Sequence, residues 1–245
     1  IDPDQLELSD FSRNLVNGFL AELEANGKSV STRNQRLAAI KSFFGYVKFT
    51  FPDYLDVSQQ ILAIRLKNQP EPFVNYLTVN GIAALLRQPD ASVRSGYRDM
   101  LMLTLLYDSG ARVSELTNIR IGDIRIQNPA TITLHGKNRK DRIVPLSQKT
   151  VGLIGNYLKR ERLITPECKD KLLFTNRQGG QLTRIGVTYV LKKYASLARQ
   201  QHPDIIPDNL SAHCIRHSKA MHLLQAGVPL IYIRDFLGHT KISTT

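Results

Sequence analysis

Ser211-Ala-His213-Cys-Ile-Arg216-His217 opens the stretch around which this chain is organised, and it runs on through Gly227-Val-Pro229 to Gly238-His239. Ser211 has the chemistry of an N-cap and Gly227 that of the residue just past a helix end. Together they predict a helix of about four turns. His213 and Arg216 are three apart, so they share one face near the helix start. A helix N-terminus carries spare N–H donors and the positive end of a dipole, and it attracts anions. Pro229 suits the first turn of a second helix, Gly238 ends it, and His239 falls on the turn beyond. Two histidines and an arginine on helix edges predict a cradle for one anionic group, with phosphate the first candidate.

The whole chain agrees with a polyanionic partner. It has 245 residues, 42% of them hydrophobic, and a formal net charge of +12. The sequence pI is about 9.8. This length supports one or two domains with sizeable cores, and a charge this positive points first to nucleic acid. Cys168 and Cys214 are the only cysteines, so no disulfide framework is expected and a reducing compartment is. No apolar run approaches membrane-spanning length and no signal-peptide pattern opens the chain. The opening Ile1-Asp2-Pro3 lacks a methionine, which implies a fragment.

The charge is unevenly placed. Residues 1–70 hold 8 basic and 8 acidic residues, whereas residues 71–245 hold 25 basic and 13 acidic, so the excess of +12 sits in the second part. Between them, Pro70-Glu-Pro72 within 68–76 reads as a linker, because prolines so close together cannot continue a helix. The first part predicts helices over about 12–24, 31–49 and 57–66, the second with an apolar stripe of Leu37, Ile40, Phe44 and Val47. Lys28, Arg33, Arg36, Lys41 and Lys48 lie there without an acidic neighbour. Two readings stay open for them, a DNA-facing surface and an ordinary solvated face. In the second part Thr78 predicts an N-cap, Tyr97 to Tyr107 a buried helix, and Ser109-Gly110 its stop. Ile124-Arg-Ile126, Thr131-Ile-Thr-Leu134 and Arg142-Ile-Val-Pro-Leu146 alternate as strands do, with the basic run Lys137-Asn-Arg139-Lys140 at a hairpin tip. Amphipathic helices are expected over 151–162 and 184–199. Tyr232, inside an apolar helical run, is expected in the core.

Four points carry cations or donors that packing does not explain: Gly110-Ala-Arg112-Val-Ser-Glu115-Leu116, Gly136-Lys137, His213-Cys-Ile-Arg216-His217 and Leu237-Gly238-His239. In this order and spacing they resemble the tyrosine recombinase family, also called phage-type integrases, and within it the site-specific integrase/recombinases of bacteria and their mobile elements. The resemblance spans about Tyr76 to Thr245. It implies a mainly α fold with a small antiparallel β-sheet: a SAM-like helical core-binding domain and a catalytic domain forming a clamp on DNA. The domains would be 1–70, shortened at its N-terminus, and 71–245, ending before the nucleophile. The family's tyrosine follows its last histidine by nine residues, which is position 248 here.

The resemblance also implies a chemistry. A tyrosine attacks a DNA phosphate, leaving a 3′-phosphotyrosyl link and a free 5′-hydroxyl. The crowded, negative transition state suits two guanidiniums, since each can donate paired hydrogen bonds and neither loses its charge. Arg112 and Arg216 take that role, and Lys137 that of the general acid for the leaving 5′-oxygen. His213 and His239 complete the donors, and Glu115 orients a catalytic side chain. DNA-binding cations are Lys28, Arg33, Arg36, Lys41, Arg139 and Lys140. The implied partners are double-stranded recombination sites and, in synapsis, a homotetramer, with no metal, small-molecule cofactor or membrane, in the cytoplasm with the nucleoid. The competing readings are narrower. Arg112 would also serve as a helix C-cap, Arg139 and Lys140 compete with Lys137, and His217 and His222 suit structural roles. Zinc on His213 and His217 is disfavoured by Arg216 beside them and by Cys214 where a metalloprotease helix has glutamate. At the level of function the rivals are a type IB topoisomerase and a non-enzymatic DNA-binding protein on this scaffold.

Overall fold

The computed structural model describes residues 7–68, 76–136 and 141–238. The expected linker prolines, the hairpin tip with Lys137, Arg139 and Lys140, and His239 lie outside the described residues. The chain divides into two compact units, Ile1–Phe73 and Val74–Thr245.

The first unit is helical: α1 (Arg13–Ala25), α2 (Val30–Thr50) and α3 (Leu55–Leu62). Ser12 and Ser29 start α1 and α2 by accepting hydrogen bonds from the Leu15 and Thr32 amides, which satisfies donors that have no partner inside the helix. Val16, Leu20, Leu37, Phe44, Val47 and Ile61 form the core, with the i, i+3, i+4 spacing of one helix face. The third helix ends four residues earlier than its expected end at Leu66. Its continuation runs past the Asn34 side chain, which accepts from the Lys67 amide at 3.1 Å and donates to its carbonyl at 2.8 Å. Those backbone groups are thereby satisfied without a further helical turn.

The second unit is mostly helical with one small antiparallel sheet. Its helices are α4 (Val79–Leu86), α5 (Arg94–Asp108), α6 (Val113–Leu116), α7 (Gln148–Arg160), α8 (Arg184–Gln201), α9 (Ala212–Gln225) and α10 (Leu230–Leu237). The strands β1 (Ile124–Arg125), β2 (Thr131–Leu134) and β3 (Arg142–Pro145) lie in the order β1-β2-β3, with Ile132 opposite Val144 and Leu134 opposite Arg142. Helix α5 buries Leu101, Met102, Leu103, Leu105 and Leu106, apolar nearly all round because neighbours cover it on every side. At about 1.5–3 kcal/mol for each fully buried large apolar side chain, α5 is the main contributor to this core. Gly110 ends α5 at a φ of 56° and Gly238 ends α10 at 66°. Only glycine adopts that region freely. Both also sit at close approaches: a Cβ on Gly110 would meet Leu237 Cδ2 at 3.0 Å, and one on Gly238 would meet Arg142 Cδ at 3.0 Å. The α5–α6 turn, strand β3 and the end of α10 are thus held against one another.

Tyr232 corrects the expectation of a core position, for it is 65% exposed. Ile233 and Leu237 of α10 are buried, four residues apart on one stripe with Ala220 of α9, with Phe236 half-buried beside them, and Tyr232 is out of phase with this stripe. Among the described residues no helix is long and apolar enough to cross a membrane.

Candidate active site

The site forms around the C-terminal end of α10. A helix leaves its last carbonyls without intrahelical donors and carries a partial negative charge there. Three arginines from distant parts of the chain meet those carbonyls one by one. Arg142 Nε donates to the Phe236 carbonyl at 2.9 Å, Arg216 Nη2 to that of Leu237, and Arg112 Nη2 to that of Gly238 at 3.1 Å. Arg216 also donates from Nη1 to the Gly110 carbonyl. Arg112 and Arg216 are therefore brought together through the same turn of backbone.

Their environments differ. Arg216 is buried, 3% exposed, on the first turn of α9. Burial, then the neighbouring charges of Arg112 and Arg142, bring its guanidinium down to about 9, so it remains a cation at neutral pH. The Arg112 side chain is 44% exposed at the start of α6. It does act at a helix C-terminus, as the capping reading held, yet it remains open to solvent on another side. Glu115, 4% exposed, pairs with Arg112 and Arg142. Its oxygens accept from the Arg112 amide at 2.7 Å, from Arg112 Nη1 at 2.8 Å, and from Arg142 Nη1 and Nη2 at 2.8 and 2.9 Å. Burial pushes this carboxyl up, but the Arg142 fork and the Arg112 amide outweigh it and hold it below the usual carboxylate range.

His213 stands on the same first turn of α9, whose N-cap is Ser211. Burial, then the charges of Arg216 and Arg112, lower its imidazole below the ordinary value of 6.5. Arg112 thus acts electrically on both Glu115 and His213. His217, one turn on, faces His213 with Nε2 atoms 2.6 Å apart. His222 does take a structural place, bonding Tyr107 Oη through Nδ1 at 2.9 Å. Among the described residues no group of three His, Cys, Asp or Glu side chains is arranged to hold a metal ion.

The DNA-facing set of the first unit needs one correction. Lys28 and Arg36 are exposed and Lys41 is half-buried, but Arg33 is 7% exposed. It lies four residues before Leu37, on the core stripe, and its Nε pairs with Glu24 at 2.9 Å. An arginine on that stripe must carry a partner inward with it, and so it is spent on the fold.

Arg142 was missed by sequence reasoning. Its signal was the strand register: Val144 is buried, and a strand alternates, so Arg142 two residues earlier faces the same way. A cation on a core-facing strand position implies a buried acceptor.

The Phage integrase family profile matches residues 75–245, and the N-terminal SAM-like domain profile of phage integrases matches residues 2–48. A Sinorhizobium fredii protein named as an integrase/recombinase is 36% identical over 245 residues, which cover 99% of this chain and 72% of that protein. Tyrosine recombinase XerD of Listeria innocua is 33% identical over 246 residues, covering 100% of this chain and 78% of that one. Among solved structures, XerH site-specific recombinase bound to difH substrate in a pre-cleavage complex superposes with a TM-score of 0.74 at 25% identity, over 97% of this chain and 67% of that one. The Tn1549 transposon integrase in complex with circular intermediate DNA shares the fold, with a TM-score of 0.75 at 16% identity over 96% of this chain and 80% of that one.

Proposed function

The chain belongs to the phage integrase family and is a tyrosine-type site-specific DNA recombinase, and on that premise we propose that it cuts and rejoins DNA through a 3′-phosphotyrosyl intermediate. A tyrosine oxygen attacks the scissile phosphorus and the bond to the 5′-oxygen breaks. The 5′-hydroxyl of a second strand then attacks the phosphotyrosyl link and releases the tyrosine. Phosphodiester bond energy is kept in the covalent intermediate, so resealing needs no external energy source.

In this reading Arg112 and Arg216 hold the non-bridging oxygens and stabilise the charge that develops on them. Each such donor contributes roughly 3–4 kcal/mol to lowering the barrier. His213 and His239 donate to the same phosphate. Lys137 protonates the leaving 5′-oxygen, and Glu115 orients Arg112. The observation that carries the reading is the meeting of Arg112 and Arg216 on the Leu237 and Gly238 carbonyls, beside His213. Two guanidiniums held side by side repel, and an anion between them relieves that repulsion. Lys28, Arg36 and Lys41 of the first unit, with Arg139 and Lys140, bind the flanking duplex. Recombination of two duplexes uses four protomers. That XerH and the Tn1549 integrase are seen on DNA supports the choice of duplex DNA as partner.

The test is a covalent adduct. The full-length protein is mixed with nicked suicide duplexes cut from the DNA flanking its own gene. A protein–DNA species surviving a denaturing gel, with its phosphate on a tyrosine, is the expected result. DNA binding without any adduct across the flanking sequence would overturn the enzymatic mechanism and leave a DNA-binding protein.

A further inference from the structure

Arg142 is outside the set of residues proposed to touch DNA, yet its guanidinium is the most fully engaged at the site. Its side chain is 9% exposed. Its two Nη atoms fork onto the two Glu115 oxygens at 2.8 and 2.9 Å, and Nε reaches the Phe236 carbonyl at 2.9 Å. All three of its nitrogens are engaged on protein acceptors, whereas Arg216 is engaged through its two Nη atoms, so Arg142 has no nitrogen left over for a substrate phosphate. Its effect must pass through what it touches.

What it touches is the counter-ion of Arg112. Glu115 accepts from both guanidiniums, so one carboxylate is shared between two cations. Arg112, Arg142 and Arg216 with Glu115 leave a formal charge of +2 at the end of α10. Without Arg142 that charge falls by one, and Glu115 then faces Arg112 with nothing to share it. A carboxylate in a paired fork with a guanidinium cancels most of its field and fixes its orientation. Arg112 would then be turned toward Glu115 and away from an incoming phosphate.

We propose that Arg142 is a positioning residue of the recombination reaction: by taking half of Glu115 it leaves the Arg112 charge only partly cancelled and its fork open toward the DNA phosphate. This rests on the reading of Arg112 as a phosphate-binding residue given above. The same contacts bind β3 to the end of α10, and electrostatic sharing and a simple strut predict different couplings between Arg142 and Glu115. A double-mutant cycle measures that coupling.

Single-turnover cleavage of the suicide duplex is measured at saturating full-length protein, with DNA affinity and a thermal melt alongside, for Arg112→Ala, Arg142→Met, Glu115→Gln and the Arg142→Met/Glu115→Gln pair. We expect Arg142→Met to slow cleavage by about 100-fold with affinity within about threefold, a loss of the size one preorganised donor gives. Glu115→Gln added to it should return at least about tenfold of that rate, because the unshared carboxylate is then gone. Should Arg142→Met fail to fold, Arg142→Lys replaces it, since an ammonium keeps the charge but cannot span both carboxylate oxygens. Cleavage by Arg142→Met within about threefold of wild type, or losses that simply multiply in the pair, would overturn the inference. If Arg112→Ala cleaves normally, the site reading itself fails. If it loses cleavage while the Arg142 variants do not, only the Arg142 inference fails.

Discussion

His213 and His217 face each other across one turn of α9 with their Nε2 atoms 2.6 Å apart. A contact that short needs one proton between the rings, so one donates and the other accepts. Both imidazoles are held below the ordinary value of 6.5, by burial first, and then by Arg216 and Arg112 at His213 and by His213 and Arg216 at His217.

These shifts predict proton uptake on DNA binding. A phosphate entering the site offsets the positive field that lowers His213, so its pKa rises and the complex binds more protons than the free protein. Affinity therefore strengthens as pH falls through the window between the free and bound values. Calorimetry in two buffers of different ionisation enthalpy measures the uptake, and His213→Gln should remove the part due to this site. In the free protein the folded pKa is the lower one. The stability this contributes is complete above about 6.5 and is lost as pH falls through the folded value. Melting temperature should therefore drop on acidification, and less steeply in the His213→Gln, His217→Gln double variant.

Arg112→Ala and Arg216→Ala should separate catalysis from stability. Both are expected to lower cleavage by roughly 10²–10³-fold with DNA affinity within a few-fold, as for loss of one transition-state donor. Only Arg216→Ala should also lower the melting temperature, because it strips donors from the Gly110 and Leu237 carbonyls at a buried position. Each carbonyl left unpaired there costs about 1–3 kcal/mol. Equal melting temperatures for the two variants would contradict the buried bridge.

Salt titration should distinguish Arg33 from its neighbours. With about eight phosphates neutralised, log K should fall with log salt at a slope of roughly −7. Lys28→Gln and Arg36→Gln should each make that slope shallower by about 0.9 for every phosphate the variant no longer neutralises. Arg33→Gln should leave the slope unchanged and lower the melting temperature, since its partner is Glu24 and not DNA.

Lys137→Ala should be a leaving-group defect. A substrate with sulfur at the bridging 5′ position departs as a thiolate and needs no proton. It should restore cleavage to Lys137→Ala but not to Arg112→Ala. Rescue of Arg139→Ala or Lys140→Ala instead would move the general acid along the hairpin.

Much of the fold is legible along the chain because the causes act over three or four residues. Ser12, Thr78 and Ser211 cap the helices they were expected to start, Ser29 caps α2 two residues before its expected start at 31, and Gly110, Gly227 and Gly238 end theirs at positive φ. Alternation placed Thr131–Leu134 and Arg142–Pro145 as strands. The spacing of motifs around Arg112, His213 and Arg216 was equally visible, since each motif is a local pattern.

What the sequence determined by itself is therefore the set of elements, the uneven charge and the identities of the residues that the family match then covers. What only the tertiary structure decided is which charges are spent inside the protein. Arg33 and Arg36 are three residues apart and chemically alike, yet one is buried against Glu24 and the other exposed. Arg142 acquires its role from Glu115 and Phe236, which are 27 and 94 residues away in the chain. A charge's state depends on its desolvation and on the partners that packing brings within hydrogen-bond reach, and neither is a property of the residues beside it in sequence.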